Sequence, residues 1–137
     1  MKVSIIEPVG GHGGLDYYDS SLCASLTQNG IHPILFTSDE TEIRDNSLYL
    51  TKKYFIDIYG TQYRVLRGLK YIQCLLKSIY YSKKVGSQLI HYHFFHFTFI
   101  ELLTIVLSKL YGFKIVITVH DVKSFYGKGD NPIIKNI

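Results

Sequence analysis

The sequence has few of the residues on which disulfide-rich and zinc-binding proteins depend. Its 137 residues contain no tryptophan, three prolines and two cysteines, Cys23 and Cys74, which do not form a CxxC motif. Both cysteines lie in apolar, helix-like surroundings. This placement predicts buried, reduced and inert thiols in a reducing compartment.

Long apolar runs are also missing. The most apolar window, residues 94–107, contains His96 and Glu101 and is shorter than the roughly 20 residues that span a bilayer. The apolar run at the N-terminus stops at Pro8, which is too early for a signal peptide. We therefore expect a cytoplasmic chain whose membrane contact, where it exists, is peripheral.

Spacing excludes several binding motifs. A dinucleotide fingerprint beginning at Gly11 would need its third glycine where Asp16 stands, and no G-K-[ST] follows to make a P-loop. No HExxH, cysteine–histidine cluster or DxD motif occurs, so we expect no metal and no cofactor. The basic residues lack a matching aromatic platform, and we expect no nucleic-acid partner.

What is present is the composition of one folded domain. The chain is 47% hydrophobic and carries a net charge of +4. Its length is sufficient for a buried core. The positive charge favours acidic partners such as phosphate or anionic lipid.

Strand and helix patterns alternate along the chain. Pro33 indicates that its strand lies at an edge or starts irregularly. Alternation requires parallel strands joined by right-handed crossovers, which predicts an α/β fold: a Rossmann-like, doubly wound, mostly parallel sheet in a three-layer α/β/α domain. The predicted strands are 2–6, 31–36, 53–59, 88–95 and 114–119, and the predicted helices are 15–28, 61–84 and 98–112.

Three segments with polar or glycine residues meet at the carboxyl edge of this predicted sheet, where such folds bind ligands. The glycine loop 10–14 leads into a helix, whose N-terminus suits phosphate; a tight turn without a ligand is the alternative. His93 and the pair His120–Asp121 end two strands. Histidines there can bind sugar or phosphate or transfer a proton, or else pack in the sheet and cap a loop.

The ordered set of segments resembles the N-terminal half of GT-B glycosyltransferases, especially the retaining family 4. That family has a strand, a G-G loop and a helix, then a V-H-x-H strand, and then a strand ending in T-x-H. This chain shows "GHGGLDYYDSSLCASLTQNGIHPILFT", "LIHYHFF" and "KIVITVHD" in the same order. The resemblance covers nearly the whole chain, 1–137.

The resemblance implies roles for individual residues. Gly13 and Gly14 would approach the diphosphate of a nucleotide-sugar donor, and the catalytic candidate His120 would lie by the transferred sugar. His93 would contribute to the same site, and Asp121 would be structural or contact the acceptor. A metal is usually not needed in such enzymes, because helix dipoles and basic side chains stabilise the leaving diphosphate.

A basic helix is a further candidate surface. Its apolar residues Val65, Leu69, Ile72, Leu76 and Ile79 predict a buried face. The opposite face carries a cationic stripe, and in the family such helices dock on anionic membranes; a solvated outer face is the alternative. The stripe consists of Arg64, Arg67, Lys70, Lys77 and Lys84.

The resemblance also implies a missing part. The family's donor-binding C-terminal domain has no counterpart after Asp121, so an excised half or a chain completed by a partner is expected. The expected function is acceptor binding for sugar transfer to a glycan or lipid-linked acceptor in surface polysaccharide or glycolipid synthesis. The alternatives are a noncatalytic module for an anionic ligand or protein, and a receiver-type domain using Glu7, Asp57 and Lys123.

Overall fold

The computed structural model describes residues 1–11, 14–42, 48–59, 63–95 and 97–120. Five parallel strands form one sheet in the order β3-β2-β1-β4-β5. The elements are β1 (Lys2–Ile6), α1 (Leu15–Gln28), β2 (His32–Ser38), β3 (Leu50–Phe55), α2 (Arg64–Lys84), β4 (Leu89–Phe94), α3 (Phe99–Leu110) and β5 (Lys114–Val119).

Helices cover both faces of the sheet. α1 packs on one face, where Cys23 meets Val3, Ile5 and Leu35. α2 and α3 pack on the other face, where the larger core includes Leu75 of α2. The predicted three-layer, doubly wound parallel fold is therefore confirmed, and the strand order reverses between β1 and β4, where such sheets open a crevice.

Two details of the predicted strands are wrong. β3 is Leu50–Phe55 rather than 53–59, because Asp57 adopts a φ of 55° that a strand cannot contain. β2 is an inner strand, so Pro33 does not mark an edge. Pairing with β3 begins only at Ile34, so the missing N–H of Pro33 removes no ladder bond there.

The start of α3 follows its sequence signal. The Thr98 side chain accepts a hydrogen bond from Ile100 N, and the backbone N–H of Thr98 donates to the Glu101 carboxylate at 2.8 Å. This is the predicted capping box. Both Thr98 and Glu101 are thereby fixed at the carboxyl edge of the sheet, beside β4.

The buried face of α2 agrees with the predicted one only in part. Ile79 is buried as predicted and Ile72 is half-buried, but Val65, Leu69 and Leu76 are exposed. The other buried positions are Leu75, Ser78 and Ser82. The small serines allow the helix to approach the sheet closely. The hydroxyls of Ser78 and Ser82 donate hydrogen bonds to the backbone carbonyls of the residues four positions earlier, Cys74 and Ser78. A second apolar stripe is left facing outward.

α3 shows the same inversion. Its buried positions are Glu101, Thr104 and Ser108, with half-buried apolar residues packed beside them on the core, while its exposed positions are apolar except for Lys109. We call the outward residues of the two neighbouring helices the apolar outer surface. It comprises Val65, Leu66, Leu69, Leu76 and Tyr80 of α2, and Phe99, Leu102, Leu103, Val106 and Leu110 of α3.

Neither α2 nor α3 would cross a bilayer: within the described ranges, no helix combines the necessary length with the necessary apolar character. Both thiols are free, and burial raises the pKa of Cys23 to about 12, with Asp19 adding to the shift. Cys23 is therefore an unreactive core residue. Cys74 is half-buried.

Candidate functional site

Two glycines of the loop after β1 are required by internal packing. A Cβ on Gly10 would lie 2.0 Å from Thr41 Oγ1, and one on Gly11 would lie 2.5 Å from the carbonyl oxygen of Glu40. Both have positive φ, 46° and 51°. The loop that follows β2 therefore approaches this backbone, and no ligand is needed to explain these two positions.

We expect Gly10→Ala to lower the free energy of unfolding by about 3 kcal/mol, because the added methyl group meets three hydroxyls in a left-handed backbone. Urea unfolding followed by circular dichroism measures this loss. The matched control is Gly30→Ala, at φ 73° with open space around its Cβ. It should cost only about 1 kcal/mol, and equal losses would contradict the packing explanation.

Gly14 has a different role. It is the N-cap of α1 with φ 79°, and no described side chain caps the helix there. Among the described residues other than its chain neighbours, no atom lies within 4 Å of a Cβ built on Gly14, and a helix N-terminus without a side-chain cap can bind an anion. His12 and Gly13 lie outside the described residues.

Glu7 holds the glycine loop in place. The sequence analysis did not predict this contact. Its fully buried carboxylate accepts hydrogen bonds from the backbone N–H groups of Val9, at 2.9 Å, and Gly10, at 2.6 Å. A carboxylate directly after a strand and before glycines is the only sequence signal for this arrangement. The receiver-type hypothesis needed Glu7 and Asp57 as an acidic cluster, but Asp57 is exposed and pairs with Lys70. Lys123 lies outside the described residues.

Three histidines form a row on the face of the sheet that α1 covers. The ring centroids of His91 and His93 are 4.6 Å apart, and those of His93 and His120 are 5.2 Å apart. Tyr18 of α1 packs against both His93 and His120, at 5.5 and 5.6 Å. The backbone N–H of Tyr18 donates to the carbonyl of Gly14. The structure therefore brings His120 and the start of α1 to the same edge.

His120 is held by its neighbours, and its Nε2 atom is buried. Its backbone N–H donates to the carbonyl of Phe94 at 3.1 Å, which aligns it with the end of β4. Its ring stacks on Phe95 at 4.7 Å with an angle of 7° and is half-buried. Asp121, predicted beside it, lies outside the described residues.

His93 is covered more completely than His120. Its side chain is 1% exposed and lies beneath Tyr18, with Nδ1 at 3.3 Å from Oδ1 of the equally buried Asp19. Among the described residues, neither the carboxyl group nor the ring has a hydrogen bond of good geometry. No sequence pattern predicted a carboxyl group on the buried side of α1.

The Asp19–His93 pair is neutral at moderately acid pH. Burial raises the pKa of Asp19 to about 7 against the opposing effect of His120, and burial lowers the pKa of His93 to about 4. Between these values the carboxyl group keeps its proton and the imidazole carries no charge. Such a pair avoids placing two charges in an apolar layer.

These pKa values predict that stability decreases on acidification. Burial also lowers the pKa of His91 to about 4, so unfolding takes up protons at His91 and His93 between pH 6.5 and 4 and releases one from Asp19. The net slope is about 1.4 kcal/mol of lost stability per pH unit of acidification. Urea unfolding at pH 4.5, 5.5 and 6.5 measures it.

The variant Asp19→Asn removes the proton that Asp19 releases on unfolding, which opposes the uptake at the two histidines. The loss of stability per pH unit of acidification should therefore become about twice as large. His32→Gln is the matched control, because His32 is exposed at the other end of the sheet. An unchanged slope in Asp19→Asn would show that Asp19 ionises in the folded protein as it does in the unfolded chain.

A cavity of about 360 Å³ opens at the same edge, between the loop after β1 and the first turns of α2 and α3. Arg64, Arg67 and His93 are among its lining residues. The cationic stripe is therefore not one continuous surface: Arg64 and Arg67 border the cavity, Lys70 pairs with Asp57, and Lys77 lies over the Tyr54 ring. Lys84 is exposed.

No protein-family model matches the sequence, and no curated protein matches it at a significant level. Among solved structures, MurG of Acinetobacter baumannii matches with a TM-score of 0.59 over 85% of this chain. The chain has a GT-B-type Rossmann fold. The identity is 15% and the match covers 34% of MurG, so this chain spans about a third of the length of that glycosyltransferase. The similarity does not point to family 4 specifically.

Proposed function

We propose that this chain is the acceptor-binding half of a GT-B glycosyltransferase. It would move a sugar from a nucleotide-sugar to a glycan or lipid-linked acceptor in the synthesis of a surface polysaccharide or glycolipid. The observation that carries the proposal is the meeting of His120 with the first turn of α1, which begins at Gly14, at the carboxyl edge of a GT-B-type sheet.

The first turn of α1 would receive the donor diphosphate. The positive end of a 14-residue helix lies behind Gly14, and the described residues leave space beside Gly14 for a phosphate to approach the backbone. Gly13 would take part in the same contact. The helix dipole would stabilise the charge of the leaving diphosphate, so the proposal includes no metal ion and no cofactor.

His120 would act next to the transferred sugar. Its ring is positioned by the Phe95 stack and the Tyr18 edge, and the residue as a whole is half-buried. An imidazole so placed donates a hydrogen bond to a sugar hydroxyl or accepts a proton from one. His93 would support this ring from below, and Asp121 would contact the acceptor side.

The chain would work at the surface of an anionic membrane. α2 carries six cationic residues and no acidic one, and the single carboxylate of α3, Glu101, is buried. Beside this charge lies the apolar outer surface, ten exposed apolar side chains on two neighbouring helices, and exposed apolar patches mark interaction sites. Apolar burial combined with attraction to anionic lipid is the physical basis of peripheral membrane binding.

The test is sugar transfer by a completed enzyme. The chain is combined with a donor-binding GT-B half, and transfer of a radiolabelled sugar from a nucleotide-sugar to a membrane extract is measured. Transfer is expected only when both halves are present. Binding of an anionic ligand by this chain alone, with no transfer in any completed form, would favour the noncatalytic module instead.

A further inference from the structure

A buried carboxyl group shares one layer of the structure with three histidine rings. Asp19 of α1 is fully buried, and its Oδ1 atom lies 3.3 Å from Nδ1 of His93. The rings of His91 and His120 flank the His93 ring, at centroid distances of 4.6 and 5.2 Å. When Asp19 ionises it needs a positive charge close by, because an unpaired charge in an apolar layer is costly.

The three rings differ in how easily they take up that positive charge. Burial lowers the pKa of His93 to about 4, and burial together with the neighbouring rings lowers the pKa of His91 to about 4. His120 ends the row at the carboxyl edge of the sheet, directly after β5. Its positive charge favours the ionised form of Asp19 against the effect of burial. His120 is therefore the ring that balances the charge of Asp19.

The other titratable groups around this layer supply no positive charge to it. Asp16, in the first turn of α1, is 7% exposed, and its charge disfavours the ionised form of Asp19. Burial raises the pKa of Cys23 to about 12, so the thiol stays neutral. The carboxylate of Glu7 accepts hydrogen bonds from the loop amides. The basic side chains of the neighbouring strands are exposed at the amino ends of those strands: Lys2, His32 and Lys114.

We propose that Asp19 is a positioning residue for His120, and that its buried carboxylate stabilises the imidazolium form of His120 across the ring of His93. The inference rests on the proposed function only in giving His120 a part in sugar transfer. An imidazolium donates a stronger hydrogen bond than a neutral ring does, and it attracts the negative charge of a diphosphate at the start of α1. Tyr18 packs against both His93 and His120, and salt screens a charge pair covered in this way less than an exposed one.

The experiment is a titration of the histidine rings of the 137-residue chain, followed by NMR. The ring resonance of His120 is assigned by its loss in His120→Gln. Its titration midpoint is then measured in the wild-type chain and in Asp19→Asn, which keeps the shape of the side chain and removes its charge. We expect the midpoint in Asp19→Asn to lie lower by about half a pH unit or more.

Asp57→Asn is the matched control. Asp57 is exposed and pairs with Lys70 of α2, on the other face of the sheet, and asparagine tolerates its φ of 55°. The midpoint of His120 should not change in this variant. A second measurement needs no substitution: in the wild-type chain, the carboxyl carbon resonance of Asp19 should shift over the same pH range as the ring of His120, because the two ionisations are coupled.

Two outcomes would overturn the proposal. One is a folded Asp19→Asn chain in which His120 titrates as it does in the wild type. The other is an Asp19 carboxyl group that titrates over a range separate from that of His120. Neither measurement uses a nucleotide-sugar, so both are judged separately from the transfer assay.

Kinetics of the completed enzyme provide a further readout for the role of Asp19. The pH at which kcat changes should be lower in Asp19→Asn than in the wild type, following the midpoint of His120. A merely structural defect would lower kcat at every pH and leave the shape of the pH profile unchanged.

Discussion

Replacing His120 by alanine is expected to lower kcat for sugar transfer by the completed enzyme about 100-fold or more. Loss of a positioned hydrogen-bond or proton-transfer group has effects of this size. KM for the acceptor should change little, because His120 is proposed to act on the transferred sugar and not to hold the acceptor. Steady-state kinetics with a radiolabelled nucleotide-sugar measures both constants.

His32→Ala is the control for this variant. His32 is exposed at the amino end of β2, across the sheet from the proposed site, and should leave kcat unchanged. Circular dichroism must show that His120→Ala is folded, because the ring also packs on Phe95 and Tyr18. A folded His120→Ala enzyme with full activity would remove His120 from the mechanism.

Serine substitutions at Leu103, Val106 and Leu110 are expected to weaken binding to phosphatidylglycerol-containing vesicles at least about 100-fold. Each aliphatic side chain contributes on the order of 1.5 kcal/mol when buried, and 1.4 kcal/mol is a tenfold change in affinity. Leu103, Val106 and Leu110 are 55%, 47% and 80% exposed and none belongs to the core, so the free energy of unfolding should fall only slightly. Vesicle co-sedimentation measures the binding.

Tyr17→Ser is the matched control, since Tyr17 is exposed on α1 at the opposite face of the sheet. Vesicles of pure phosphatidylcholine should bind the wild-type chain more weakly, because they lack the charge that attracts α2. The membrane proposal would be contradicted if the wild-type chain bound neither kind of vesicle and instead associated with itself through Leu103 and Leu110. Sedimentation velocity distinguishes these cases.

The fold was predictable because its signals are local and repeated. Continuous apolar strands alternate with helices, and this pattern requires a parallel sheet whichever residues fill the core. The capping box of Thr98 and Glu101 marked the start of α3 for the same reason, since it depends on residues three positions apart. The end of β3 was predicted too late because apolar Ile58, which follows the strand, is buried in the core without belonging to the strand.

The packing of α2 was not predictable from periodicity. The helix has two apolar stripes, one containing Leu75 and Ile79 and the other containing Val65, Leu69 and Leu76. Periodicity identifies stripes but does not decide which one faces the sheet. The sheet selects the stripe that contains Ser78 and Ser82, because small residues permit the closest approach.

The candidate site was predictable as a location and not as a set of contacts. The strand ends and the glycine loop predicted a site at the carboxyl edge of the sheet, because the topology of a parallel sheet places these segments together there. The partnership of Asp19 with His93 joins α1 to β4 and depends on tertiary packing that no spacing encodes. The requirement for glycine at positions 10 and 11 likewise depends on tertiary packing, because the loop after β2 lies against their backbone.

Hydrogen–deuterium exchange on the completed enzyme tests the central claim most directly. With a nucleotide-sugar bound, amides at 14–18 and 118–120 should gain protection, while those at 28–32, at the opposite edge of the sheet, should not change. Protection of other segments alone, in an enzyme that transfers sugar, would show that the site lies away from Gly14 and His120.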